Sequence, residues 1–180
     1  MAFFFCSRST AWRAWVSGSV ASILSAAALV LAGKREARSA AAPLNAVSHW
    51  YWGPRALWQQ QVDGKHTLAG YATHHGASVF WATLFAALLE RRPALNTARP
   101  LVCASAATAA VACFVDFQLT PERLTPGFEH RLSRPALAAT YLAFGAGLAL
   151  GALATSAPRA WSPREPDRPP SAPFTTGNPQ

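Results

Sequence analysis

Little in this sequence announces chemistry. It has three cysteines and eight acidic residues, and its four longest apolar runs contain no lysine or arginine. An odd cysteine count leaves no complete disulfide framework. Cys103 and Cys113 lie ten residues apart on one run, a rise of ~15 Å that no disulfide spans. Cys6 has no partner motif, and all three read as small apolar side chains. There is no Cys-x-x-Cys, no His-x-x-x-His and no helical carboxylate–histidine pair, so no pattern predicts a metal or haem cofactor. Serines are plentiful but none sits in a nucleophile elbow. No internal repeat is present.

Charge is sparse, and positive charge is absent from the runs. Of the eight acidic residues only Asp116 falls inside one, as the cost of placing charge in hydrocarbon requires. The net charge of +8 does not point to nucleic acid, because the basic residues form no stripe. They cluster at the ends of the runs, where anionic lipid headgroups attract them.

What is there is apolar length. The runs Ala14–Gly33, Thr67–Leu89, Leu101–Leu119 and Pro135–Thr155 comprise 20, 23, 19 and 21 residues. About 20 apolar residues at 1.5 Å rise cross a ~30 Å hydrocarbon core. The predicted fold is all-α, an integral membrane bundle of four transmembrane helices. The chain divides into an N-terminal segment 1–13, the four-helix domain 14–157 and a Pro-rich tail 158–180 expected to be disordered. The first run reads as a retained span rather than a signal peptide. It exceeds the usual core of about 7–15 residues, and Lys34, Arg35, Glu36 and Arg38 crowd the place where cleavage would fall.

Small residues at four-residue spacing predict where the helices approach. The fourth span offers Ala139, Ala143, Gly147 and Gly151, the first Gly18, Ser22 and Ala26, and the third Ser105, Thr108, Ala112 and Asp116. The expectation is packing within the bundle, with self-association through Gly147-x-x-x-Gly151 as the alternative. In the first loop, Pro54 suits the start of a short helix lying on the membrane surface, with Trp50, Trp52 and Trp58 as interface residues. In the third loop, Thr120-Pro121 and Thr125-Pro126 each place a capping residue before a proline at a first helical position.

The second span carries a polar face. Thr67, Tyr71, His74, His75 and Ser78 recur at three- and four-residue intervals, and such a face must meet other helices or a wet cavity. Antiparallel threading brings the start of this span, the end of the third, and the first and third loops to one membrane side. The candidate cluster is therefore His49, Tyr71, His74, His75, Ser78, Asp116, Glu129 and His130.

Three functions follow from this pattern. In the first, the chain is a structural or accessory membrane protein, with the polar groups as bundle glue and Arg123 solvating Asp116. In the second, His74, His75 and Asp116 serve an oligomeric transporter or a proton- or ion-handling component. In the third, the chain is a metal- or haem-binding redox protein. Adjacent histidines diverge by ~100° on a helix, and a second haem ligand would require His49 or His130 to dip inward.

Ala42-Pro43-Leu44-Asn45-Ala46, Ser48-His49-Trp50 and Trp52-Gly53 resemble a group of small uncharacterised four-span bacterial inner-membrane proteins. So do Thr67, Gly70, His74, Ser78, Phe80-Trp81, Asp116 and Leu124-Thr125-Pro126-Gly127-Phe128-Glu129. The resemblance spans Ala42 to Glu129. It implies a multi-pass inner-membrane location and carries no activity or cofactor. Expected partners are the lipid bilayer and a second copy or another membrane protein. The positive charges tie at eight on each side, so orientation rests on the short basic N-terminus, which places both termini in the cytoplasm.

Overall fold

The structure is a computed structural model that describes residues 7–156. The tail 158–180 lies outside the described residues. Among those described, six α-helices, four short 3₁₀ turns and no strand are present. The long helices are α1 (Arg8–Glu36), α4 (His66–Arg91), α5 (Ala98–Phe114) and α6 (Arg134–Ala154). Between α1 and α4 lie the short α2 (Ala42–Val47) and α3 (His49–Trp52).

Helix boundaries follow local chemistry. Ser7 caps α1 by accepting from the Thr10 backbone N–H, and Ser133 caps α6 through the Ala136 N–H with Pro135 in the first turn. At α4 the cap comes from just outside the helix. The Asp63 carboxylate accepts from the His66 N–H, and the Thr67 hydroxyl accepts from the Asp63 N–H at 3.1 Å. The reciprocal pair satisfies two otherwise orphaned donors. α5 does not stop at Phe114 but continues through one wide π turn, Val115–Leu119, which carries Asp116.

Helix α1 is central, packed along both α6 and α4, while α5 leans on α6 and touches α4 only sparsely. The contacts rest on glycine. A Cβ added at Gly147 would lie 2.4 Å from the Ala21 Cα, and one at Gly151 would lie 2.4 Å from the Ser17 Cα. Gly18 presses in the same way on Val79 of α4. Of the predicted stripe on α6, Ala139 is exposed and Ala143 only half-buried, so those two do not make the close approach. The Gly147–Gly151 face is filled by α1 of the same chain, which leaves it unavailable for self-association.

Large apolar side chains point outward. Trp12, Trp15, Ile23 and Leu31 on α1, Val111 and Phe114 on α5, and Leu142 and Leu150 on α6 are all exposed. The interior is rich in alanine, serine and glycine, the arrangement expected where lipid solvates the exterior and small residues let backbones close in. Three helical segments, Arg8–Glu36, Ala98–Leu119 and Arg134–Ala154, are long and apolar enough to cross a membrane. α4 has the length, 26 residues, but its histidines, threonines and glycines keep it out of that set.

The first loop departs from its expected course. α2 is buried along its whole length, wedged against α4, so close that a Cβ on Gly70 would overlap the Leu44 carbonyl. The segment Pro54–Trp58 is a 3₁₀ turn rather than an α-helix. In the third loop, Pro121 stands outside its turn rather than at the first helical position, and Gly127 precedes the other turn. The threonines do not cap forward. Thr120 and Thr125 donate their hydroxyls back to Val115 and Glu122 carbonyls. Gly127 adopts φ 87°, a left-handed conformation that glycine takes without strain.

Candidate functional site

The first and third loops meet over one end of the bundle. The Trp50 indole N–H donates to the Thr125 carbonyl at 2.9 Å, and the Arg131 guanidinium donates to the Leu57 carbonyl at 3.1 Å. Asn45 locks the junction from beneath. Its amide donates to the Gln59 and Gln61 carbonyls at 3.1 and 2.8 Å, and its oxygen accepts from Thr67 at 2.7 Å. A fully buried asparagine with three partners is a structural post. Sequence reasoning noticed Asn45 only as part of a resemblance, since a single asparagine between apolar residues gives no sign of what it will bond.

Below this roof lies a cavity of about 690 Å³, within the size range of small-molecule sites. Ala72, Gly76 and Phe80 of α4 form one wall, and Ala112, Val115 and Asp116 of α5 with its π turn form the other. Ser25, His74, Ser78, Thr140 and Tyr141 make the back. Trp50, Leu124 and Phe128 cover it, and Trp81 and Phe144 floor it. The remaining side faces outward between α4 and α5, where Ala72, Gly76 and Phe80 are exposed.

Two polar pairs stand in this cavity. His74 Nε2 is 2.9 Å from the Ser25 hydroxyl, which ties α4 to α1. The Tyr141 phenol donates to Asp116 Oδ2 at 2.6 Å, which ties α6 to the end of α5. Asp116 is thus met by Tyr141 rather than by Arg123, which is exposed. The other Asp116 oxygen takes no hydrogen bond among the described residues. The Ser78 hydroxyl is spent on the His74 carbonyl at 2.8 Å.

The other candidate residues do not line the cavity. His75 points to a different flank, edge-on to Trp15 at 5.6 Å and stacked on Tyr71 at 6.0 Å, and its Nδ1 is buried without a partner. His49 is buried, but its Nδ1 lies 2.8 Å from the Ala46 carbonyl under Gly127. Glu129 and His130 form a loose pair at 3.9 Å in the third loop. Only His74, Ser78 and Asp116 of the eight share the cavity, joined by Ser25, Thr140 and Tyr141. No group of three His, Cys, Asp or Glu side chains converges among the described residues. Tyr141 carried no signal in the sequence, because a tyrosine in an apolar run gives no indication which neighbour its hydroxyl will find.

The chain matches no protein-family model, no curated protein and no solved structure. What it does must therefore be read from its own geometry.

Proposed function

We propose that the chain is a four-pass integral protein of the bacterial inner membrane with an accessory, non-catalytic role, in which α4 is the fourth span. One observation carries this reading. α4 turns Leu68, Phe80, Leu84 and Leu88 outward and buries Gly70 and Ser78, so it presents large apolar side chains to the exterior as its neighbours do. A helix averaged around its circumference hides this asymmetry. At 26 residues it reaches ~39 Å, enough to span. The resemblance to small inner-membrane proteins supports the location. With both termini cytoplasmic, the roofed end faces the periplasm.

A proton- or ion-handling role for His74, His75 and Asp116 draws support from His74 and Asp116 sharing one cavity. It is weakened by His75 lying on another flank and by the closely packed Phe85, Leu89, Leu101 and Leu148 farther along the bundle.

Membrane-impermeant maleimide labelling of single cysteines, with Cys6, Cys103 and Cys113 replaced, tests the threading. Val62→Cys and Leu124→Cys should react in intact cells, and Leu95→Cys only after lysis. Val62 and Leu124 on opposite sides, or a water-reactive Leu84→Cys, would overturn the four-pass reading.

A further inference from the structure

The cavity between α4 and α5 has an unusual lining. Among its lining residues there is one carboxylate, Asp116, and neither lysine nor arginine, and the nearby Glu129 adds a second negative group. Tyr141 supplies Asp116 with a single neutral donor, and nothing among the described residues supplies a positive charge. The rest of the lining is strongly aromatic, with Trp50, Tyr51, Phe80, Trp81, Phe128 and Phe144 presented to the same space. Aromatic faces carry negative quadrupole charge and attract cations held over them.

We propose that this cavity binds a lipophilic organic cation, a hydrophobic amine or quaternary onium compound, with its charge held by Asp116 and the aromatic rings. The proposal rests on the membrane reading above for its route of entry. The Trp50–Thr125 hydrogen bond crosses the loop end, Trp81 and Phe144 line the interior, and the exposed lining residues Ala72, Gly76 and Phe80 open a side on α4. A ligand arriving through that side comes from the lipid phase.

Charge and solvation favour this class over the others. A small inorganic cation would need several oxygen ligands to replace its water; the Glu129 carboxylate is within electrostatic reach of Asp116, but no third His, Cys, Asp or Glu joins them among the described residues. A carboxylate buried without a counterion is costly, and a partner that is itself cheap to dehydrate offsets that cost best. A bulky onium ion with its charge spread over apolar groups meets both conditions. An anion meets neither.

Tetraphenylphosphonium and tetraphenylborate provide the test, since they share a shape and differ in the sign of charge. The full chain, purified in a neutral detergent, is titrated with each by equilibrium dialysis, which gives affinity and stoichiometry. The expected result is saturable binding of one phosphonium per chain and no saturable binding of the borate. Asp116→Asn should weaken the phosphonium on the order of tenfold or more. Gly76→Leu should also weaken binding, because Gly76 lines the cavity with open space at its Cβ position, so a larger side chain there takes ligand volume while leaving Asp116 in place. Gly64→Ala, equally unhindered and outside the cavity, should bind as wild type. Equal binding of the two ions, wild-type affinity in Asp116→Asn, or no binding of either ion would overturn the proposal. Topology labelling is read separately, so failure of the threading and failure of the site are distinguishable.

Discussion

Gly147 of α6 lies against Ala21 of α1 with no room between the two backbones, since a Cβ at Gly147 would stand 2.4 Å from the Ala21 Cα. This contact and its neighbour at Gly151–Ser17 set the separation of the two helices on which the rest of the bundle leans. Relief would have to come from backbone movement, because the obstructing atoms are backbone.

Gly147→Leu and Gly151→Leu should therefore destabilise by about 1–3 kcal/mol each, as overpacking of a close interface does. Thermal unfolding in detergent measures this. Gly76→Ala, which meets open space, should stay within about 0.5 kcal/mol of wild type. Equal effects at Gly147 and Gly76 would show that the α1–α6 contact is not tight.

Asn45→Ala should cost about 2–3 kcal/mol, because it strands the Gln59 and Gln61 carbonyls and the Thr67 hydroxyl in a buried junction. Hydrogen exchange of residues 59–67 should accelerate in the same variant. Unchanged exchange would mean that the loop is held by other contacts.

Ser25→Ala removes the partner of His74 Nε2. Hydrogen bonds between helices in a membrane are worth about 0.5–1.5 kcal/mol, and a loss of that size is expected. A double-mutant cycle with His74→Ala should show coupling, and strictly additive losses would argue that the two side chains do not interact.

Asp63 gives the chain an acid-sensitive helix cap. The backbone N–H and ring of His66, then the Gln59 amide, hold its carboxyl down to about 2 from an ordinary 3.8. A carboxylate whose pKa is depressed by folding contributes stability that is complete above its unfolded pKa and is lost as pH falls through the folded one. The stability difference between wild type and Asp63→Asn should therefore shrink as pH is lowered from above 3.8 toward about 2. Circular dichroism melts across that range would show it, and a difference independent of pH would remove the cap from the account.

The helical content of the bundle was legible because charge is excluded from lipid-facing segments, and that exclusion is written directly in the order of residues. The polar face on α4 was legible for a similar reason, since three- and four-residue spacing fixes which side chains share a side. The divergence of His74 from His75 follows from the same geometry. The burial of α2 was not legible. Ala42–Val47 reads as a short apolar stretch in a long loop, and only the Gly70 notch in α4 gives it a place to sit.

The sequence by itself determined that this chain is helical, that four apolar runs reach the length of a membrane span, and which residues lie together along each helix. The tertiary structure decided which of those faces meet. Ala139 and Gly147 belong to the same stripe, yet only Gly147 packs on α1, and Asp116 turned to Tyr141 rather than to a loop arginine. The physical reason is that helical periodicity fixes angles within one helix. Rotation about the axis and the identity of the neighbour are set by the close approach of several backbones at once.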